Sequence, residues 1–501
     1  MRGVCYPPDM RHMPPLFSML LLLGISILPA HALVVRLAAD TLTIHADQTP
    51  LSDILTQLQD AGVRVAMDDR IDPLITANFD KRETGDGIKR ILTDCDYALS
   101  WKTIEGPVGK MRRLAEVLVY KPGDRRALKP RPAPAADVEN TQTSQTNVIT
   151  CLRNEILLRL RPGVSSEQFR DLLMKTGALA LDGVPALGIY RLRLPPGTNL
   201  SEILNALSKD PLVERVEPNQ IYRSITPVKA GEAGSGDIPR TLSAGTGPAV
   251  AILDSGFTPN STLEKAVIAS LDATSPGQAI TDPLGHGTQM AFLASGAITP
   301  SGTDASGQSV SIIPIRTLDE NGNISGFALM QSMVFALEQG AKVISMSWGS
   351  SNDSRFFNDA IAYARQQGAI LVAAAGNEPT GQPSYPAAMP EVIAVAALTA
   401  DGNVWNQSNY GSFVKFAAPG FANLPVGYKG SAGLYAGTSI SAAYTANVIA
   451  QYLQTHPKAG ATEAINALIK TLPSTSTPVA AGTLHPEITR FNNTAISAYL
   501  K

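Results

Sequence analysis

A chain of 501 residues is far longer than one hydrophobic core usually organises, so we expect several separately folded modules. Its hydrophobic content of 44% is ordinary for a globular protein, and its formal net charge of −2 comes without any block of basic residues. This charge balance gives nucleic-acid binding no electrostatic support, and we exclude that function class.

The first 32 residues predict a secretory signal peptide. Residues 16–30 form an apolar stretch too short to span a bilayer comfortably, and Ala30-His31-Ala32 follows with small residues at the spacing of a cleavage site. An N-terminal membrane anchor is the alternative. Export would permit a disulfide between Cys95 and Cys151, but two separately buried thiols fit the sequence equally well.

Residues 33–122 predict a small α+β domain. Residues 42–45 alternate as a strand does, and residues 50–58 have helical spacing. A further helix is predicted at 87–95, and further strands at 63–66, 97–102 and 115–120. The pattern of apolar residues resembles the short N-terminal domain of secretins and TonB-dependent outer-membrane receptors. This resemblance implies a cell-envelope protein partner, and hence a periplasmic, outer-membrane associated or secreted protein of a Gram-negative-type bacterium. An unrelated α+β domain is the alternative.

A second small α+β domain is predicted after a linker. Residues 123–147 are rich in Pro, Ala, Gln, Thr and Asn, as linkers are. Residues 148–223 then follow the order βαββαβ of a ferredoxin-like sandwich. The predicted strands include 155–160, 189–194 and 213–219, and the predicted helices are 165–176 and 200–209. Residues 224–245 are a second linker.

Residues 246–472 predict an α/β domain with a doubly wound, mostly parallel sheet. Five nearly continuous apolar runs suit strands that are buried on both faces. These runs are 249–254, 311–318, 342–347, 369–375 and 391–397. Helices at 325–339 and 354–367 begin at serine caps and end at glycines, and a last helix is expected at 461–472. Residues 473–501 form a weakly patterned tail.

Three residues in this domain have the types that acyl transfer requires. Asp254 ends an apolar strand, His286 stands between two glycines, and Ser439 follows Gly437-Thr438 at the start of an apolar helix. A serine hydroxyl needs a base within hydrogen-bond reach, and a carboxylate can orient that base. The order Asp, His, Ser differs from that of chymotrypsin-type and α/β-hydrolase triads.

Two donors for an oxyanion are also predicted. A helix N-terminus leaves unpaired N–H groups, so the Ser439 amide can face a developing negative charge. The side-chain amide of Asn377, at the end of a buried strand, can supply the second donor.

Four segments together resemble the signatures of the subtilisin-like serine proteases, or subtilases: Asp254-Ser255-Gly256, Gly285-His286-Gly287-Thr288, Ala375-Gly376-Asn377 and Gly437-Thr438-Ser439. The resemblance implies a subtilisin-like fold and peptide-bond hydrolysis through an acyl-enzyme. It also implies that Ser347-Trp348-Gly349 pairs with the substrate backbone and that Ala374-Ala375-Gly376 helps to wall the specificity pocket. An ordinary role for both segments in the core is the alternative.

Residues 148–223 resemble the inhibitory propeptide of the same family, which implies a zymogen with its maturation site in 224–245. The leading hypothesis is therefore an exported serine endopeptidase with its own propeptide as a partner. A peptide ligase or cyclase that uses the same acyl-enzyme and an inactive binding protein with the subtilase fold are the alternatives. The chemistry requires no cofactor, and we assign no metal ligand. A structural calcium ion is possible, but no concentrated acidic loop specifies its ligands.

Overall fold

The computed structural model describes residues 33–107, 109–121, 129–130, 138–142, 148–232, 239–240, 242, 247–275, 277–303, 309–426, 432–472 and 489–500. The predicted signal peptide lies outside the described residues, as do residues 473–488 of the predicted tail. No helix in the described part of the chain is long and apolar enough to cross a membrane.

The N-terminal domain contains two small sheets and two helices. Its elements are β1 (Val34–Ala38), β2 (Thr41–Pro50), α1 (Leu51–Asp60), β3 (Arg64–Met67), β4 (Leu74–Glu83), α2 (Thr84–Ile91), β5 (Asp96–Glu105), β6 (Lys110–Tyr120) and β7 (Lys129–Pro130). One sheet has the order β1-β2-β4, and the other has the order β5-β6-β3-β7. Helix α1 buries the stripe Leu51, Ile54, Leu55 and Leu58, which has the spacing of one helix face.

Two elements of this domain differ from the sequence prediction. Strand β4 was not predicted, because only Ala77 and Phe79 are fully buried along its ten residues and its second half is polar and exposed apart from Phe79. Helix α2 occupies 84–91 rather than 87–95. The Glu83 side chain accepts a hydrogen bond from the Asp86 N–H at 2.8 Å, which caps the helix three residues earlier than expected.

The middle domain has the predicted element order βαββαβ. Its elements are β8 (Val138–Gln142), β9 (Val148–Leu160), α3 (Ser166–Thr176), β10 (Leu179–Val184), β11 (Ile189–Arg193), α4 (Leu200–Ser208) and β12 (Val213–Ser224). The order β10-β11-β9-β12 is antiparallel throughout. Strand β8 pairs with β9, although the sequence places it in the linker. No disulfide bond joins Cys95 and Cys151 in the structure.

The C-terminal domain is built on an eight-stranded parallel sheet of order β15-β16-β14-β18-β20-β21-β22-β25. Its elements, with the segment that leads into it, are β13 (Val228–Gly231), β14 (Ala249–Asp254), β15 (Leu271–Asp272), α5 (His286–Ala294), β16 (Ile312–Arg316), β17 (Asn323–Ser325), α6 (Gly326–Glu338), β18 (Ala341–Met346), β19 (Trp348–Gly349), α7 (Arg355–Gln366), β20 (Ile370–Ala374), β21 (Val392–Leu398), β22 (Val414–Pro419), β23 (Phe421–Leu424), β24 (Gly433–Ala436), α8 (Thr438–Thr455), α9 (Ala461–Thr471), β25 (Thr489–Arg490) and α10 (Asn493–Tyr499).

Both faces of this sheet are covered by helices, as its apolar strands require. Along β14, Val250 and Ile252 join the hydrophobic cluster that contains α5 and α8, whereas Ala251 and Leu253 join the cluster that contains α6 and α7. Ligands of such sheets bind beyond the carboxyl ends of the strands. The residues that follow β14 and β20 therefore lie at the edge of the sheet where a ligand is expected.

The middle domain attaches to the first turns of α6 and α7. The Asn219 carboxamide oxygen accepts a hydrogen bond from the Phe327 N–H at 3.1 Å, and Glu217 accepts one from the Ser354 hydroxyl at 2.8 Å. Burial raises the pKa of the Glu217 carboxyl, although the Ser354 hydrogen bond acts in the opposite direction. Helix N-termini favour hydrogen-bond acceptors such as the Asn219 and Glu217 side-chain oxygens. These two contacts therefore fix the position of the middle domain on the C-terminal domain.

Candidate active site

Asp254 and His286 form a buried pair at the end of β14 and the start of α5. The Asp254 Oδ1 and His286 Nδ1 atoms are 2.6 Å apart, and the exposed fractions of the two side chains are 1% and 0%. A carboxylate can only accept, so the imidazole donates from Nδ1 and its Nε2 is left as the basic nitrogen. The Ser255 N–H also donates to Asp254 Oδ1 at 2.7 Å and holds the carboxylate in place.

Ser439 lies in the first turn of α8, and α8 packs against α5. The Ser439 side chain is buried, and its hydroxyl makes no hydrogen bond within the described part of the chain. Gly437 comes just before this turn, at a point where other segments of the chain lie close to its backbone. A Cβ atom there would lie 3.1 Å from the Pro227 Cα atom and 3.3 Å from Asn377 Nδ2. Glycine therefore permits the close approach of another segment to the serine.

The Asn377 side chain is held by Thr438, the residue before Ser439. Its Oδ1 atom accepts hydrogen bonds from the Thr438 N–H at 2.9 Å and from the Thr438 hydroxyl at 2.8 Å. These two donors define the amide orientation, because only the oxygen can accept from an N–H. The Asn377 Nδ2 atom consequently faces the cleft, where it donates to the backbone carbonyl of Thr226 at 2.7 Å.

A segment of the chain itself occupies this cleft. We call residues 221–231 the connecting segment, because they join the middle domain to the C-terminal domain. On one side of Thr226, the Ile225 N–H donates to the Ser347 carbonyl at 2.9 Å, and Arg223 pairs with Gly349. On the other side, Val228 pairs with Ala436 in an antiparallel ladder. The Thr226 carbonyl that Asn377 contacts therefore belongs to an extended segment whose residues before and after Thr226 are both paired with the C-terminal domain.

The six residues predicted to bind substrate fall into two groups. Ser347, Trp348 and Gly349 contact the connecting segment through their backbones, but the Trp348 indole lies in the core and donates to the Leu253 carbonyl at 3.1 Å. Ala374, Ala375 and Gly376 continue from the end of β20. The Gly376 N–H donates to the Thr438 hydroxyl at 3.2 Å, which ties this strand end to the helix that carries Ser439.

Asp282, which no sequence motif identified, joins the residue after Asp254 to the start of α5, where His286 lies. Its Oδ1 atom accepts from the Ser255 hydroxyl at 2.7 Å and from the Gly285 N–H at 2.8 Å. Its Oδ2 atom accepts from the Thr288 N–H at 2.8 Å and from the Thr288 hydroxyl at 2.6 Å. An aspartate just ahead of a helix start is a capping signal, and this signal could have identified it.

Replacing Asp282 by alanine is expected to lower kcat about a hundredfold and the free energy of unfolding by about 3 kcal/mol. Each charge-assisted hydrogen bond contributes about 1.5–3 kcal/mol, and the His286 turn loses its tie to the loop after Asp254. Steady-state kinetics and thermal unfolding would measure both effects. Asp401→Ala is the matched control, since this exposed aspartate bonds only the hydroxyl, amide and backbone groups of its own loop. Equal kcat values for Asp282→Ala and wild type would contradict the positioning role.

Comparison with known families assigns the C-terminal domain and the middle domain. Residues 245–486 match the subtilase family model, and residues 139–219 match the model of the fervidolysin N-terminal prodomain. The second match covers most of the middle domain.

Individual relatives agree with these matches. The chain is 34% identical to thermitase of Thermoactinomyces vulgaris over 213 residues, which are 41% of this chain and 75% of thermitase. It is 31% identical to subtilisin Savinase of Lederbergia lenta over 42% of this chain and 78% of that protein.

Among solved structures, fervidolysin from Fervidobacterium pennivorans, a keratinolytic enzyme related to subtilisin, superposes with a TM-score of 0.54. The sequence identity between the two chains is 21%, and the structural similarity covers 70% of this chain and 61% of fervidolysin. At this identity the likeness shows the fold alone. The thermitase match and the eight-stranded parallel sheet together place the chain in the subtilase family of subtilisin-like serine endopeptidases.

Proposed function

We propose that the chain is an exported serine endopeptidase, made as a zymogen, that hydrolyses peptide bonds through an acyl-enzyme on Ser439. The observation that carries this proposal is the 2.6 Å contact between Asp254 and His286, together with the peptide carbonyl that Asn377 holds. His286 begins α5, which packs against α8, the helix that carries Ser439. A base, with its orienting carboxylate beside it, and a buried serine are therefore carried by helices that contact each other, and an oxyanion donor is bonded to the residue before the serine.

The proposed reaction assigns one task to each residue. His286 Nε2 takes the proton of the Ser439 hydroxyl while the oxygen attacks the carbonyl carbon, and Asp254 stabilises the imidazolium. The Asn377 amide and the Ser439 N–H donate to the oxyanion. The C–N bond then breaks as the imidazolium protonates the leaving nitrogen. Water, activated by the same imidazole, hydrolyses the ester and restores the serine.

The binding of the connecting segment supports an assignment of the substrate groove. Ser347, Trp348 and Gly349 are proposed to pair with substrate backbone, since their backbones already pair with residues 223–225. Ala374, Ala375 and Gly376 are proposed to wall the pocket for the side chain before the cleaved bond. The middle domain is the proposed inhibitory partner. An envelope partner for residues 33–122, export and a structural calcium ion remain predictions.

A fluorophosphonate probe tests the proposed nucleophile. We expect the protein, once freed of its middle domain, to be labelled at Ser439, as shown by peptide mass mapping, and to hydrolyse casein. Absence of both labelling and hydrolysis in folded protein would favour the inactive binding protein instead. The mass of the product formed from a defined peptide in the presence of an amine separates hydrolysis from ligation.

Asn377→Ala is expected to lower kcat by about a hundredfold to a thousandfold with little change in KM. Losing the corresponding donor costs about 2.7–4 kcal/mol in subtilisin, a member of the same family. The donor acts mainly on the charged intermediate, so the loss should appear in turnover. A change confined to KM, measured with a fluorogenic peptide, would contradict its place at the oxyanion.

A further inference from the structure

The N-terminal domain is docked on the outer edge of the middle domain. Strand β10 is the edge strand of the middle sheet, and its alternate residues face two different cores. Ala178, just before the strand, and Ala180 pack inside the middle domain, whereas Leu179 and Leu181 are buried in the hydrophobic cluster of the N-terminal domain. The two domains therefore share a strand, and this edge is covered by apolar side chains.

Polar contacts fix the same interface. The Arg113 Nε atom of β6 donates to the Leu181 carbonyl at 2.7 Å, which satisfies a backbone acceptor of the open edge. Lys102 of β5 forms an ion pair with Asp182. Burial lowers the pKa of Arg113 to about 10. A buried guanidinium is costly without acceptors, and the Leu181 carbonyl of the middle domain supplies the acceptor for Nε.

A chain of four hydrogen bonds continues from this interface to the C-terminal domain. Arg193 of β11 donates to the Asp60 carbonyl of the N-terminal domain at 2.9 Å and to Glu155 Oε1 at 2.6 Å. Asn219 Nδ2 donates to Glu155 Oε2 at 2.8 Å. The Asn219 Oδ1 atom in turn accepts from the Phe327 N–H at the start of α6, at 3.1 Å.

Glu155 is the buried centre of this chain. Burial raises the pKa of its carboxyl, but Arg191, Arg193 and the Asn219 amide outweigh that effect and hold the pKa below its ordinary value. A buried carboxylate with several donors fixes the orientation of each of them. Arg193 thus helps to orient Glu155 and, through it, the Asn219 amide that caps α6, and Arg193 is bound on its other side by the Asp60 carbonyl of the N-terminal domain.

We propose that the N-terminal domain is a structural part of the inhibitor: by docking on β10 and anchoring Arg193, it strengthens the hold of the middle domain on the catalytic domain and keeps the connecting segment in the cleft. This inference rests on the proposed function, because it assumes that the cleft is an active site. It gives residues 33–121 a partner within the same chain, namely the outer strand and the Arg193 face of the middle domain.

The test uses the intact full-length chain and the rate at which a fluorophosphonate probe labels Ser439. Labelling requires that the connecting segment leave the cleft, so its rate reports the open fraction. Arg113→Met keeps a long apolar side chain but removes the donor to Leu181. Arg193→Lys keeps a charge near Glu155 but lacks the planar guanidinium whose two ends reach the Asp60 carbonyl and Glu155. We expect each substitution to accelerate labelling about tenfold, which corresponds to about 1.4 kcal/mol.

Arg64→Met is the matched control, because this largely exposed arginine pairs with Glu116 of its own domain; it should label at the wild-type rate. The double variant Arg113→Met/Arg193→Lys should be labelled more slowly than the product of the two single accelerations predicts, since both substitutions weaken the docking of the same two domains. Multiplicative effects, or variants that label at the wild-type rate, would overturn the inference.

Two further measurements keep the result interpretable. If Arg113→Met does not fold, Lys102→Asp and Asp182→Lys replace it; each should accelerate labelling, and their combination should restore slow labelling. Failure of the combination to restore it would count against the inference. After the middle domain is removed, all variants should label rapidly and hydrolyse casein alike. Absence of labelling and hydrolysis there would instead refute the proposed function.

Discussion

In protein freed of its middle domain, His286→Ala and Ser439→Ala are each expected to lower kcat by about a millionfold, the loss found in subtilisin for the corresponding residues. Asp254→Ala should cost less, about 10⁴-fold, because the aspartate acts only through the imidazole that it contacts at 2.6 Å. The double variant His286→Ala/Ser439→Ala should be no slower than either single variant, since the base is useless without the hydroxyl that it deprotonates.

The measurement needs matured protein from variants that cannot process themselves. Each full-length variant is treated with a trace of tagged wild-type enzyme, which is then removed, and hydrolysis of a fluorogenic peptide is followed. His456→Ala is the control, since this histidine stacks on Tyr452 at the end of α8. A Ser439→Ala protein that still hydrolyses the peptide at a substantial rate would refute the mechanism. Additive losses in the double variant would show that the two residues do not act together.

The helices that flank the sheet illustrate what local sequence can specify. Helices α6 and α7 were predicted within one residue at either end, because Ser325 and Ser354 accept hydrogen bonds from the first-turn N–H groups. Gly340 and Gly368, which follow these helices, have φ angles of 85° and 80°, in the left-handed region that glycine tolerates. These signals lie within a few residues of the boundary they set, so no knowledge of the tertiary fold is needed.

The meeting of Asp254 with His286 was also predictable, though for a different reason. A parallel sheet brings the carboxyl ends of its strands to one edge, so a polar residue after a buried strand and a histidine between glycines are placed at the same side. Asp282 was missed because one of its four donors, the Ser255 hydroxyl, lies 27 residues earlier, just after β14, while the other three belong to the start of α5. Its proximity to His286 in sequence was visible, but its role depends on where Ser255 lies in space.

The connecting segment shows where local reasoning stops. Residues 224–245 are rich in Gly, Ser, Ala and Pro and were predicted as a linker with a maturation site. The structure instead gives residues 228–231 a partner strand at 433–436, more than two hundred positions away in the chain. Such pairing depends on the edges that the folded domain offers, and composition alone does not reveal it. The packing of Leu179 and Leu181 against the N-terminal domain could not be predicted from the sequence for the same reason.

Replacing Pro227 by alanine is expected to accelerate self-cleavage between residues 226 and 227 about a hundredfold. The Thr226 carbonyl is held by Asn377 at 2.7 Å, so the bond that follows the held carbonyl is Thr226–Pro227. Its nitrogen belongs to the proline ring and carries a ring carbon in place of hydrogen. In the proposed mechanism the imidazolium protonates this nitrogen as it leaves, and a ring carbon in place of hydrogen hinders its approach. General acid catalysis contributes about 10²–10⁴-fold to such steps.

N-terminal mass mapping of the incubated full-length protein measures this effect directly. Wild type should release a chain beginning at Pro227 only slowly, whereas Pro227→Ala should rapidly release one beginning at residue 227. Val228→Ala is the matched control, because this neighbouring side chain is exposed and leaves the proline bond unchanged. Adding Ser439→Ala to Pro227→Ala should abolish cleavage, which identifies it as self-processing rather than the action of a contaminating protease.

A synthetic peptide of residues 221–231 extends the argument to the isolated strand. With proline at its centre, this peptide should inhibit the matured enzyme without being consumed, because both of its halves can pair with the groove as the connecting segment does. With alanine in place of Pro227, the same peptide should be cut after Thr226. Equal cleavage of the two peptides would show that the proline does not protect the bond. In that case the wild-type junction itself would be an ordinary processing site, and inhibition would depend on the docked domains alone.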